Sequence, residues 1–239
     1  MSKVLLIAGM HRSGTSILSR WVHEMGINMG NKLHPVSKPD KEGHYEDIDF
    51  LNFHRKLFDH NNLPYTVKNG EKIKIPDKFK EQAIALIETK SNQKQWGFKD
   101  PRTCLLLPFW HKNLTEQGHE VYYLMLYRRK KDVVKSLMKR LYKHHKKRAG
   151  QWPLFGKYWK DHLKLTLRKK EFEKEFSDSY ERHLHEMTGF TLEANPRNLL
   201  HVQYESMIKE QDQIIAQLEK WGFCTKPFSL KTIFEEKLL

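Results

Sequence analysis

A chain of 239 residues that is 38% hydrophobic and 12% aromatic has the apolar material for one substantial core, which excludes wholesale disorder. Its 43 Lys and Arg against 29 Asp and Glu leave a formal charge of +14, so anionic partners are expected: nucleic acid, an anionic membrane surface, acidic glycans or a phosphorylated cofactor. The only cysteines, Cys104 and Cys224, form no C-x-x-C pair, which argues against a disulfide framework or a zinc site, and no metal is expected.

Residues 4–8, Val-Leu-Leu-Ile-Ala, are a continuous apolar run of the kind that fills a parallel strand buried on both faces. The run is too short for the core of a signal peptide, and no later segment has the length of a membrane span, so a cytoplasmic protein is expected. From Ser16, apolar Ile17, Leu18, Trp21, Val22 and Met25 recur at helical spacing, and Gly26 supplies a stop. A polar segment over 28–43 reads as a long loop, and a helix is expected from about Asp47 with Phe50, Leu51, Phe53, Leu57 and Phe58 on its apolar side. Another helix fits 77–89, with Asp77 after Pro76 as its cap.

Residues 121–127, VYYLMLY, give a second buried strand, followed by a helix over 132–141 with Asp132 at its cap. A long charged helix is expected across much of 158–187, with Leu163, Leu167, Phe172 and Phe176 on its apolar stripe. Residues 199–204, LLHVQY, read as a third strand, before a helix over about 206–221. Strands alternating with helices imply an α/β fold with a P-loop-like parallel sheet, flanked by helices and carrying helical insertions; no linker divides the chain, so 1–239 is expected to be one domain.

The chemistry begins between the first strand and the first helix, at Gly9-Met10-His11-Arg12-Ser13-Gly14-Thr15-Ser16. Backbone N–H groups in such a turn, with the helix N-terminus behind them, make an anion site. The spacing matches G-x-x-x-x-G of a triphosphate loop, but Thr15-Ser16 follows Gly14 in place of Lys-Ser/Thr. Arg12 and His11 supply the side-chain cation or hydrogen-bond donor instead, beside Ser13, Thr15 and Ser16. After the second strand, Arg128 stands where open α/β sheets bind ligands, with Ser136 about one turn into the next helix. Together they could hold a second phosphate.

This combination, G-x-x-R-S-G-T-S after one strand and an Arg eight residues before a Ser after another, resembles the sulfotransferase family. WGFKDPR (96–102), HVQYESM (201–207) and EGHYED (42–47) resemble further segments of its bacterial and tyrosylprotein-type branches, so the resemblance spans 4–207. One departure is Arg12, where some branches carry Lys. The resemblance implies a sulfotransferase fold and a donor, 3′-phosphoadenosine 5′-phosphosulfate, which leaves as adenosine 3′,5′-bisphosphate. It assigns the phosphosulfate to His11, Arg12, Ser13, Gly14, Thr15 and Ser16, the 3′-phosphate to Arg128 and Ser136, and transition-state stabilisation to Lys99. Tyr204 could contact the adenosine, and an ion pair of Lys99 with Asp100 is the competing expectation.

Four residues are open as general base: Glu46, His44, His11 and Asp100. For the acceptor, a hydroxyl or amine compound such as an acidic glycan or another anionic molecule, His44, Arg102, Trp152 and Tyr158 are the expected contacts, the last two within the basic, aromatic stretch 139–160. A nucleotide kinase and a basic nucleic-acid-binding protein are the alternatives. The first is disfavoured by the missing loop lysine, and the second has no recognisable binding module.

Overall fold

A computed structural model describes residues 1–33, 45–68, 70–149, 165–194 and 197–236. Four parallel strands form its sheet in the order β2-β1-β3-β4: β1 (Lys3–Ala8), β2 (Gln95–Lys99), β3 (Glu120–Tyr127) and β4 (Leu199–Gln203). Helix α1 (Thr15–Glu24) follows β1, then α2 (Ile48–His60) and α3 (Asp77–Glu88) precede β2. A 3-10 helix (Pro101–Leu106) and α4 (Leu107–Glu116) lead to β3, and α5 (Lys130–Ala149) and α6 (Lys169–Ala194) to β4. The chain closes with α7 (Gln211–Lys220) and α8 (Leu230–Glu236).

The pleat explains the two-sided core. Val4, Leu6 and Ala8 of β1 face one cluster with Phe50, Phe98, Trp110, Tyr123 and Phe190, beneath α2, α3, α4 and α6. Leu5 and Ile7 point the other way, into a cluster with Leu18, Trp21, Leu124, Val202 and Leu218, beneath α1, α7 and α8. Each such side chain, fully withdrawn from water, contributes about 1.5–3 kcal/mol. Leu6→Ala in the middle of β1, where the side chain is wholly buried, is expected to cost about 2–5 kcal/mol.

The expected strands at 4–8, 121–127 and 199–204 are all present, and the sheet has a fourth, β2, which the sequence reading left unassigned. Its Gly97 is pressed against the Leu5 carbonyl of β1, so a Cβ there would collide with the neighbouring strand. Helix α4 was likewise not expected.

Helix caps differ in detail. Asp47, near which the helix was expected to begin, caps α2, its carboxylate accepting from Asp49 N at 2.9 Å. Asp77 is instead the first helical residue of α3, after Pro76, and its carboxylate accepts from Lys80 Nζ. Asp132 lies inside α5, which starts at Lys130, and pairs with Arg129 at 2.8 Å. The expected helix at 206–221 has its helical turns only over α7, 211–220. Of the expected stripe on the long helix, Phe176 is buried, Leu167 is 74% exposed and Leu163 lies outside the described residues. Among the described residues no helix is long and apolar enough to cross a membrane.

Candidate functional site

Strand β1 is followed in space by β2 on one side and β3 on the other, so the chain reverses its direction of winding between β1 and β3. Outside the carboxyl ends of the strands at such a point is where open α/β sheets bind ligands. Four connections meet there: the turn 9–14 after β1, Asp100 after β2, Arg128 and Arg129 after β3, and Tyr204 after β4.

The turn after β1 has left-handed backbone at Arg12, φ 67°, and at Gly14, φ 96°. Gly14 is the N-cap of α1 and gives it no side-chain cap, so the first N–H groups of the helix are left for a group from outside. The Tyr204 ring lies so close to Gly14 that a Cβ there would overlap it. Arg128 stacks its guanidinium over the other part of this arrangement, 4.2 Å from the Tyr204 ring centroid, and donates from Nη1 to the Arg12 carbonyl at 2.9 Å. Tyr180 holds the Arg128 carbonyl from beneath at 2.7 Å. Arg12 in turn donates from Nε to Ser136 Oγ at 3.1 Å. Arg12, Gly14, Arg128, Ser136 and Tyr204, spread over the chain, therefore form one cradle. Ser13 and Thr15 are buried in its wall.

Beside it lies the second cluster. Lys99, buried to 1% at the end of β2, donates to Ser16 Oγ at 3.1 Å and to Glu46 Oε1 at 2.8 Å. Its partner is thus Glu46, and the competing expectation of a Lys99–Asp100 pair is corrected. Asp100 is engaged elsewhere: Arg102 grips it with two parallel bonds, Nε to Oδ1 at 2.8 Å and Nη2 to Oδ2 at 2.7 Å. Burial would raise the Asp100 carboxyl, but His54 and Arg102 outweigh it and hold the group far below the usual carboxylate range. Asp100 is an ionised anchor that also caps the 3-10 helix by accepting from Arg102 N at 2.8 Å, which leaves Glu46 as the carboxylate on the open side. The acidic neighbour Asp47 is tied to buried Lys90 at 2.9 Å, fixing the backbone from which Glu46 projects.

His11 packs among other rings beside the cradle. Its ring stacks against Tyr65 with centroids 4.0 Å apart and meets the edge of His183 at 6.2 Å. Burial, with His183 beside it disfavouring a second positive charge, holds its pKa well below the ordinary histidine range. His183 is buried as well; its Nδ1 pairs with the Ser179 carbonyl at 2.7 Å, and burial depresses its pKa to about 4. On the outer side Tyr65 is 50% exposed, and its hydroxyl accepts from Arg140 Nη1 at 3.0 Å. Burial of that hydroxyl raises its pKa.

His44, Trp152 and Tyr158 lie outside the described residues. Of the remaining expected residues, Arg12, Ser13, Gly14, Thr15, Ser16, Glu46, Lys99, Arg102, Arg128, Ser136 and Tyr204 gather at the strand ends, and His11 underlies them. Tyr65, which adjoins the site through His11, is a residue that sequence reasoning missed, and Arg140 was covered there only as part of the stretch 139–160. Arg140 follows Ser136 by one i,i+4 step on α5, which puts both on one helix face and could have marked it. Tyr65 sits in the irregular stretch after α2 and carries no local signal.

No protein-family model matches the chain, and no curated protein matches its sequence. Solved structures that it resembles include the sulfotransferase domain of the curacin biosynthetic pathway, at 14% identity and a TM-score of 0.47 over 91% of this chain and 72% of that one. They also include the sulfotransferase domain of the Synechococcus PCC 7002 olefin synthase, at 15% identity and a TM-score of 0.42 over 91% of this chain and 71% of that one.

Proposed function

We propose that this chain is a sulfotransferase that moves a sulfuryl group from 3′-phosphoadenosine 5′-phosphosulfate to a hydroxyl or amine acceptor, at the carboxyl ends of β1 and β3. The observation that carries the reading is the presence of two sets of anion-binding groups at the strand ends: the uncapped α1 N-terminus with Lys99 and Ser16, and Arg12 and Arg128 with Ser136. A donor with phosphate at both ends of one nucleoside needs two such groups, and the stacked Arg128–Tyr204 pair offers a flat surface near the second. A cytoplasmic location accompanies the reading.

In the mechanism, the first N–H groups of α1 and the Thr15 and Ser16 hydroxyls hold the phosphosulfate. Lys99 supplies positive charge to the sulfuryl oxygens and the departing bridging oxygen, where charge builds up in the transition state. The acceptor oxygen or nitrogen forms a bond to sulfur as the sulfur–oxygen bond to the 5′-phosphate breaks; the electron pair of that bond stays on the bisphosphate. Glu46 accepts the acceptor's proton. Its 2.8 Å contact with Lys99 holds the two side chains together before the donor arrives, and transfer of Lys99 to the sulfuryl oxygens would free the carboxylate to act as base.

A thermal-shift comparison tests this. Adenosine 3′,5′-bisphosphate at about a hundred times its dissociation constant should stabilise the fold by about 2.7 kcal/mol. Stabilisation by ATP with Mg²⁺, and none by the bisphosphate, would favour the kinase alternative instead.

A further inference from the structure

The cations around the site divide by whether a carboxylate holds them. Lys99 pairs with Glu46, Arg102 with Asp100, and Lys90 with Asp47. Arg12, Arg128 and Arg140 have no carboxylate partner among the described residues. In the proposed function, Arg12 and Arg128 stand at the donor cradle, with Ser136 between them and the helix. Arg140 is one turn further along α5 and turns toward Tyr65 instead.

Arg140 and Tyr65 make a small built wall. The Tyr65 ring is fixed from below by the buried His11 ring at 4.0 Å, and its hydroxyl is fixed by Arg140 Nη1 at 3.0 Å. Half of the tyrosine remains exposed, so an apolar ring face is open to a ligand while its polar edge is occupied. The guanidinium lies 5.7 Å from the ring centroid. Besides the Tyr65 bond and among the described residues, it makes one long contact, Nε to His144 Nε2 at 3.5 Å. A guanidinium has five N–H donors, so the described residues leave most of its donor capacity uncommitted. Glu46 is close enough that its charge contributes to raising the Tyr65 hydroxyl, together with burial. The wall therefore borders the site through His11, the residue before Arg12, with Glu46, Arg12 and Arg102 all among the charges that reach the Tyr65 hydroxyl.

We infer that Tyr65 and Arg140 form the acceptor subsite, and that the acceptor carries an anionic group, a carboxylate or a similar oxyanion, beside the hydroxyl or amine that is modified. This rests on the proposed function and adds the substrate class. The ring of Tyr65 covers the apolar face of the acceptor, and Arg140 takes the anion with its free donors. An aromatic acid and a sugar acid share this chemistry.

Matched pairs of probes distinguish the sources: 4-hydroxybenzoate against 4-hydroxybenzamide, and methyl glucuronide against methyl glucoside. Each is titrated calorimetrically into the full chain saturated with adenosine 3′,5′-bisphosphate. In at least one pair the charged member should bind about tenfold or more tightly than its neutral partner. Arg140→Gln should abolish that preference, and Tyr65→Phe, which keeps the ring and removes only the hydroxyl, should reduce it several-fold. Both variants should bind the bisphosphate as the parent does, and equal melting temperatures would show them folded. Absence of a preference in both pairs, undetectable binding included, or a preference unchanged in Arg140→Gln, would overturn the inference. If the parent fails to bind the bisphosphate, the proposed function itself fails, and the probe titrations into the free protein still decide whether Arg140 selects anions.

Discussion

Arg12 Nε donates to Ser136 Oγ at 3.1 Å across 124 residues of chain, joining the turn after β1 to the helix after β3. The bond closes the cradle from one side, while Arg128 closes it from the other through the Arg12 carbonyl at 2.9 Å. If this junction receives the 3′-phosphate, Ser136→Ala removes one hydrogen bond to a charged group, about 1.5 kcal/mol, or roughly tenfold in affinity. Arg128→Ala should cost more, since it removes the charge and the Tyr204 stack together. Calorimetry should show both losses for adenosine 3′,5′-bisphosphate and much smaller ones for adenosine 5′-phosphosulfate. Equal losses for the two nucleotides would place the 3′-phosphate elsewhere.

The Lys99–Glu46 pair predicts a split in kinetic parameters. Glu46→Gln should lower kcat by about 10²–10⁴, the usual worth of a general base, with donor binding retained. Lys99→Ala should lower kcat by about 10²–10³ through lost transition-state stabilisation. Because these residues touch each other, the double variant should be far less impaired than the product of the single losses. Multiplicative losses would mean that they act independently.

Gly14 is constrained twice, by φ 96° and by the Tyr204 ring against its Cα. A left-handed conformation costs an L-residue about 1–2 kcal/mol. For a chain of this size, Gly14→Ala is therefore expected to lower Tm by several degrees. It should also displace Tyr204 and weaken nucleotide binding. A variant that kept full stability and affinity would contradict the described packing.

The buried histidines set an acid limit to stability. His183, with its pKa depressed by burial to about 4, and His11, also lowered by burial, are held neutral in the fold. The unfolded chain protonates them below about 6.5, so between that pH and 4 it binds more protons than the native state does. Their stabilisation is complete above about 6.5 and is lost as pH falls. The groups facing His183 are His11, Arg182 and Asp100; Arg182 opposes protonation and Asp100 favours it. Urea titrations from pH 7 to pH 4 should show a falling unfolding free energy, and His183→Phe should flatten that slope. An unchanged slope in the variant would assign the acid sensitivity to other groups.

How much of this the sequence discloses depends on how local each signal is. Strands β1 and β3 are continuous apolar runs because helices cover both of their faces, and such runs are visible in one dimension. β2, Gln-Trp-Gly-Phe-Lys, is only five residues long, with polar ends and a glycine, so its strand character comes from pairing with β1. The loop over 9–16 is legible because its glycines, hydroxyls and arginine are contiguous. The Arg12–Ser136 bond and the stacking of His11 on Tyr65 depend on tertiary packing. Asp100 illustrates the same limit. Adjacent to Lys99 in sequence, it alternates to the other side of the chain and is claimed by Arg102 and His54. Tyr65 reaches the site only because the segment after α2 folds back over His11.

The central claim is that the two ends of the cradle accept one nucleotide bearing phosphate on both its 5′ and 3′ positions. Its most direct test is calorimetric titration of the full chain with adenosine 3′,5′-bisphosphate, adenosine 5′-monophosphate and ATP with Mg²⁺. The bisphosphate should bind without added metal and far more tightly than either of the others. Tight binding of ATP with Mg²⁺ and none of the bisphosphate would contradict it.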